Sequence, residues 1–99
     1  MPYIEKNVRK LHSDTIEHFS ALHAGHITAG ELNYLLTSLC HAVIERQGLN
    51  YSKANEIMGV LECVKMELYR TVISDYEDVK RKLNGNISEL DKNDLPKLS

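Results

Sequence analysis

The sequence predicts an all-α fold: a short N-terminal helix, then an antiparallel hairpin of two helices with a long third helix, completed by oligomerisation into a helical bundle. Three observations predict it. Apolar residues recur every three or four positions along most of the chain. The two prolines, Pro2 and Pro96, lie near the ends, so no residue between them is barred from a helix. Capping signals divide the apolar segments from one another.

Composition favours a single domain, because 99 residues leave no room for two hydrophobic cores. We place that domain at residues 1–86 and a flexible, polar tail at residues 87–99. Lys and Arg total 12 against 14 Asp and Glu, without a basic block, which argues against nucleic acid as a partner. No apolar run reaches the roughly 18 residues of a membrane span, and no signal-peptide core precedes the first helix, so we expect a cytoplasmic protein.

The first predicted helix is the least regular. It runs to about His23 and ends at Gly25, and Ser13 offers a competing N-cap that would break it in the middle. Residues at helical spacing form a mainly apolar stripe along it: Val8, Leu11, Thr15, Phe19 and Leu22.

The second helix has signals at both ends. Thr28 and Glu31 form a capping-box pattern at its start, and Gly48 suits a left-handed position just after its end. Between them lies an apolar stripe that comprises Leu32, Leu36, Leu39 and Val43.

The third helix is expected to be long and continuous. Ser52 is its predicted N-cap, and no helix breaker follows until Asn84 and Gly85, with Gly59 as a weak point that costs about 1 kcal/mol. We assign one apolar stripe of this helix to the interior of the chain's own fold: Ile57, Leu61, Val64, Leu68, Val72 and Val79.

A second apolar sector remains on the third helix, formed by Met58, Met66, Tyr69, Ile73 and Tyr76. The third helix, at about 48 Å, is also longer than the second, at about 30 Å, so a hairpin leaves apolar surface uncovered. A second copy of the chain is the simplest cover. The sequence therefore predicts a homo-oligomer, a dimer or larger, with Met58, Met66, Ile73 and Tyr76 in the interface.

Charged residues interrupt this second sector at Glu62 and Lys65. One interpretation is a ligand site between subunits, in which Lys65 and Arg70 face a small anionic ligand and Tyr69 stacks on its ring. The plainer interpretation is a salt bridge between Glu62 and Lys65, or between subunits, that fixes orientation.

Other polar residues give weaker signals. Asn33 and Tyr34 are assigned to the polar rim of the ligand site, although such residues more often bond neighbouring helices. His23 and His26 lie three residues apart, but across Gly25, so we predict no metal site.

Catalysis finds little support in the sequence. No glycine-rich phosphate loop or nucleophile elbow is present, and adjacent Cys40 and His41 would point about 100° apart on a helix. Cys40 and Cys63 lie among apolar residues, which is typical of reduced packing cysteines. We therefore expect no enzymatic activity and no cofactor.

Several segments resemble a family of short proteins encoded by phages and prophages. The resemblance covers about residues 1–86 and is carried by residues 30–34 (GELNY), 55–62 (NEIMGVLE), 65–70 (KMELYR), 76–78 (YED) and 84–85 (NG). It implies a non-enzymatic, host-interacting role. Among small phage-encoded helical proteins in general, one recurring function is to sequester the nucleotide signals of bacterial immunity, and we extend this function to the chain as a hypothesis.

Two functional hypotheses follow. The first is a homo-oligomeric binding protein that holds a small anionic or nucleotide signal between its subunits. The second is a protein-interaction module whose apolar helix face binds a host or phage protein, with no small ligand.

Overall fold

A computed structural model of the chain describes residues 2–92, and within that range every regular element is helical. The all-α prediction is therefore confirmed. The elements are α1 (Lys6–Lys10), α2 (Ser13–Phe19), a π-helical segment (Ser20–Ala24), α3 (Ala29–Gln47), α4 (Tyr51–Leu68), a second π-helical segment (Tyr69–Ile73), α5 (Ser74–Asn84) and a 3₁₀ turn (Glu89–Asp91).

The chain divides into two compact units, residues 1–63 and residues 64–99. The first unit contains α1 to α3 and most of α4. The second contains the end of α4, the second π-helical segment, α5 and the 3₁₀ turn.

The N-terminal helix is broken, as one of the two sequence alternatives predicted. The amides of Leu11 and His12 donate to carbonyls three residues back, at 3.1 and 3.0 Å, which tightens the chain between α1 and α2. Ser13 is not the cap, because α2 already includes it and His12 holds the N-cap position without a side-chain bond. Helical structure then continues to Ala24, one residue before Gly25.

The capping box at the start of α3 is confirmed. The Glu31 amide donates to the Thr28 hydroxyl at 3.2 Å, and the Thr28 amide donates to the Glu31 carboxylate at 3.3 Å. Gly48 ends α3 with a positive φ of 91°, as predicted, but its ψ of 151° lies outside the left-handed helical region. The chain therefore leaves α3 in an extended direction after a single bond from the Gly48 amide to the Ile44 carbonyl.

The hydrogen bonds from Thr28 hold the pKa of Glu31 below its ordinary value. The charged carboxylate therefore stabilises the fold above pH 4.5, and this contribution disappears as the pH falls through the lowered pKa. We expect wild type to exceed Glu31→Gln in urea midpoint at pH 7, and this difference to shrink as the pH is lowered below 4.5. Gln keeps the capping bond, so a difference that does not change with pH would contradict this role for the charge.

The start of α4 corrects the sequence prediction. Asn50, and not Ser52, is the cap, because its side-chain oxygen accepts from the Lys53 amide at 2.8 Å and its carbonyl accepts from the Ala54 amide at 2.9 Å. Asn and Ser cap helices about equally well, so local propensity does not decide between two candidates that lie two residues apart.

The third predicted helix contains a change of helix type. Consecutive residues are helical from Tyr51 to Asn84, but Tyr69–Ile73 is π-helical. A π-helical turn holds one more residue than an α-helical turn, so it changes which side chains share a face. The helix ends at Gly85, whose φ is 93°.

A capped turn follows α5. The Asp91 carboxylate accepts from the amides of Ile87 and Ser88, at 3.1 and 3.0 Å, and these bonds lower the pKa of Asp91. The Arg81 guanidinium donates to the Asp91 carbonyl at 2.8 Å. Residues 93–99 of the predicted tail lie outside the described residues, and the flexible tail stays a prediction.

No residue in the described range 2–92 is buried. Even the long apolar side chains of α3, α4 and α5 are at most half-buried. The half-buried positions are Phe19, Ile27, Leu35, Ser38, Cys40, Ile44, Lys53, Ala54, Ile57, Glu67, Ser74, Arg81 and Asp91.

Within the described residues, no helix combines the length and the apolar character that crossing a membrane requires.

Candidate interaction surface

An apolar groove lies between α3 and α4 in the first unit. It has a volume of about 260 Å³ and is lined by Leu39, Cys40, Val43, Gln47, Lys53, Glu56, Ile57 and Val60. Its lining residues come from the second half of α3 and the earlier part of α4, on either side of the connection between these helices. The groove is open to solvent, with the Leu39 side chain 61% exposed.

A polar cluster of Gln47, Lys53 and Glu56 lies at one end of the groove, beside the turn between the helices. The Lys53 ammonium group donates to the Gln47 side chain and forms an ion pair of 2.9 Å with Glu56. The Lys53 side chain is only 18% exposed, which makes this ion pair better shielded than an ordinary surface pair. This polar cluster therefore joins the end of α3 to the start of α4. Sequence reasoning missed it, because a contact across the turn has no helical spacing.

A second depression, of about 280 Å³, lies farther along the same helices and is lined by Asn33, Leu36, Thr37, Cys40 and Leu61. The Thr37 hydroxyl donates to the Asn33 side-chain oxygen at 3.2 Å. Tyr34 lines a shallower surface beside it, with Ala29 and Gly30, and is exposed. Two of the predicted ligand residues, Asn33 and Tyr34, therefore lie together on one exposed part of α3.

The other predicted ligand residues lie on the third predicted helix. Glu62 belongs to the first unit, and Lys65, Tyr69 and Arg70 belong to the second. Tyr69 and Arg70 are the first two residues of the π-helical segment. The proposed pairing of Glu62 with Lys65 stays a prediction.

Arg70 has a partner within its own helix. Its guanidinium group donates to the Glu67 carboxylate at 2.6 Å, and its side chain is 67% exposed. An anionic ligand at this position would therefore compete with Glu67 for Arg70.

All four predicted interface residues are exposed: Met58, Met66, Ile73 and Tyr76. The prediction that these four residues share one sector was based on a regular α-helix. Tyr76 lies after the π-helical segment, so that basis does not hold for Tyr76. The stripe that the sequence assigned to the chain's interior is also exposed for most of its length, so the interior assignment is wrong for Leu61, Val64, Leu68, Val72 and Val79.

All five histidines and both cysteines lie in the first unit. The rings of His23 and Phe19 lie 6.0 Å apart at 47°, a tilted contact on one helical turn. Cys40 is a half-buried free thiol in the groove, and Cys63 is an exposed one. Between residues 2 and 92, no three His, Cys, Asp or Glu side chains meet as metal ligands.

Comparison with known proteins gives one result. No curated protein and no solved structure matches the chain. A family model described as a domain of unknown function (DUF6899) matches residues 1–87, a range that includes both depressions on α3 and α4 and all of the predicted ligand and interface residues. The chain therefore belongs to the DUF6899 family.

Proposed function

We propose that this chain is a non-enzymatic, homo-oligomeric binding protein whose subunits complete one another's hydrophobic core. One observation carries the proposal: the described residues include long apolar helices and yet no buried side chain. Burial of apolar surface is the main favourable contribution to folding, so helices this exposed need a neighbour to be stable.

The exposure of individual side chains supports the same proposal. Leu39 in the first unit is 61% exposed, and Val64 and Leu83 in the second unit are 53% and 73% exposed. Apolar side chains this exposed on long helices are typical of a surface that a partner covers.

A second copy is the partner that best fits these conditions. Apolar residues are exposed in both units and on every long helix, so the chain needs cover as soon as it is made. Identical chains are always present together, and closed homo-oligomers are the usual result of a self-complementary apolar surface. The helical bundle and the number of its subunits are part of this proposal.

A small anionic ligand between subunits is a further part of the proposed function. Arg70 carries a largely exposed guanidinium group on a π-helical turn, next to Tyr69, and such turns are frequent at functional sites. Together with Lys65, these residues offer charge and a stacking ring to a nucleotide. Sequestration of a nucleotide immune signal is the role that the phage-family resemblance favours.

The competing function is a protein-interaction module. Its support is the groove between α3 and α4, whose walls are mostly apolar and which resembles the grooves that receive an amphipathic helix. In that case the groove binds a host or phage protein, and the basic residues have no ligand.

A thermal-shift panel of nucleotides and cyclic nucleotides separates the two functions. A ligand at 100 times its Kd stabilises the folded protein by about 2.7 kcal/mol and raises its melting temperature. We expect at least one nucleotide to do so for wild type and for Lys82→Ala, a control cation on α5, but not for Lys65→Ala or Arg70→Ala. The absence of any shift across the panel, with the oligomer intact, would reject the ligand and favour the interaction module.

A further inference from the structure

The second unit carries a continuous apolar stripe that a regular helix would not produce. Its members are Val64, Leu68, Val72, Tyr76, Val79 and Leu83. The first three steps between them are each four residues long. In an α-helix, three such steps rotate about 120° beyond whole turns, so Tyr76 would lie far round the helix from Val64.

The π-helical segment corrects this rotation. Tyr69–Ile73 lies within the run of four-residue steps and accommodates one extra residue. One residue accounts for about 100° of rotation, so most of the 120° is removed. The stripe then keeps to one face from Val64 to Leu83, and Tyr76 moves from the predicted second sector into it.

Two side-chain bonds accompany the π-helical turn. The Thr71 hydroxyl donates to the Glu67 carbonyl at 2.8 Å, and the Arg70 guanidinium donates to the Glu67 carboxylate. A hydroxyl that bonds back to the preceding turn occupies a carbonyl of the helix and is a known cause of irregular helical geometry. The turn is therefore built from specific side chains of this chain.

The stripe has no cover in its own unit. Val64, Leu68, Val72 and Val79 are between 52 and 55% exposed, and Leu83 more so. Besides the helix itself, the described part of this unit contains only the three-residue turn Glu89–Asp91. A single amphipathic helix of this length is barely stable in water, so the stripe requires a partner helix.

The borders of the stripe carry opposite charges. On a wheel corrected for the π-helical turn, Lys65 and Lys80 flank one side, with Glu77 farther out on that side. Glu67 and Asp75 flank the other side, with Lys82 farther out, so the residues nearest the stripe give the two borders opposite net charges. In a parallel pair of identical helices, the basic border of one helix lies beside the acidic border of the other. An antiparallel pair would place like borders together.

We infer that the stripe from Val64 to Leu83 is the seam on which a second copy packs its own stripe in parallel, and that the π-helical turn keeps this seam on one face. This inference rests on the proposed self-association and adds the face and the direction of the partner.

Cysteine crosslinking tests the seam without placing a charge in it. The background is the full chain with Cys40→Ser and Cys63→Ser, its mass measured first. In a parallel pair, each stripe residue faces its own copy, so we expect disulfide-linked dimers for Val64→Cys and for Val79→Cys under mild oxidation. Met66→Cys, about half a turn from the stripe, is the matched control and should remain uncrosslinked.

Two results would overturn the inference. Crosslinking of Met66→Cys without Val64→Cys and Val79→Cys would assign the seam to the opposite face. Crosslinking of Val72→Cys alone, near the centre of the stripe, would indicate an antiparallel pair. A background protein that is folded and monomeric would reject the proposed function itself, so the two failures are distinguishable.

Discussion

Leu39→Ala is expected to lower the free energy of unfolding by about 2–4 kcal/mol, the cost of truncating a leucine in a core. In the isolated chain the Leu39 side chain is 61% exposed, and truncation there would cost less than about 1 kcal/mol. The larger value is expected because a second subunit fills the groove between α3 and α4 and buries Leu39.

Urea unfolding followed by circular dichroism measures this difference at a fixed protein concentration. Leu49→Ala is the matched control, because Leu49 is 71% exposed and lies in the connection between the helices. Its truncation should cost less than about 0.5 kcal/mol. Equally small effects for both variants would mean that no partner covers the groove.

Dilution is expected to destabilise the protein, because an oligomer that unfolds into separate chains obeys mass action. For a dimer, a hundredfold dilution is equivalent to about 2.7 kcal/mol per dimer. With an unfolding entropy of about 2.1 cal/mol/K per residue, this lowers the melting temperature by about 6 °C.

Thermal unfolding at two concentrations a hundredfold apart tests this expectation, with the scan rate and buffer held constant. A known monomer of similar size provides the control, since its midpoint does not depend on concentration. A midpoint for this chain that stays constant over the same range would be evidence for unimolecular unfolding.

Local signals in the sequence predicted the helices well. Thr28 and Glu31 identified the start of α3, and Gly48 and Gly85 marked ends at which the backbone adopts positive φ. These features depend on a few neighbouring residues, so a single sequence contains the information that determines them. The break before Ser13 could be predicted only as an alternative to a continuous helix. It depends on two hydrogen bonds within a single turn, which the amides of Leu11 and His12 donate.

Other local features were not predictable from pattern alone. Asn50 and Ser52 were both suitable caps, and the choice depends on where the chain leaves α3. The π-helical turn was missed because a helical wheel assumes 100° per residue throughout. Its signal was present as three successive four-residue steps between Val64 and Tyr76, which a regular helix cannot keep on one face.

The candidate site was predicted only in part. Asn33 and Tyr34 do share one surface of α3, whereas the partner of Arg70 is Glu67, a contact that the sequence analysis did not consider. The stripe that begins at Ile57 was assigned to the chain's own interior although most of it is exposed, because an apolar stripe indicates that a face is covered but not which chain covers it.

The mass of the protein in dilute solution tests the central claim most directly. Sedimentation or light scattering at about 1 μM, a concentration at which obligate oligomers remain assembled, should give at least twice the chain mass of 11.3 kDa together with a helical spectrum. A helical, cooperatively unfolding species of 11.3 kDa would contradict the claim that these helices need a second copy to form a core.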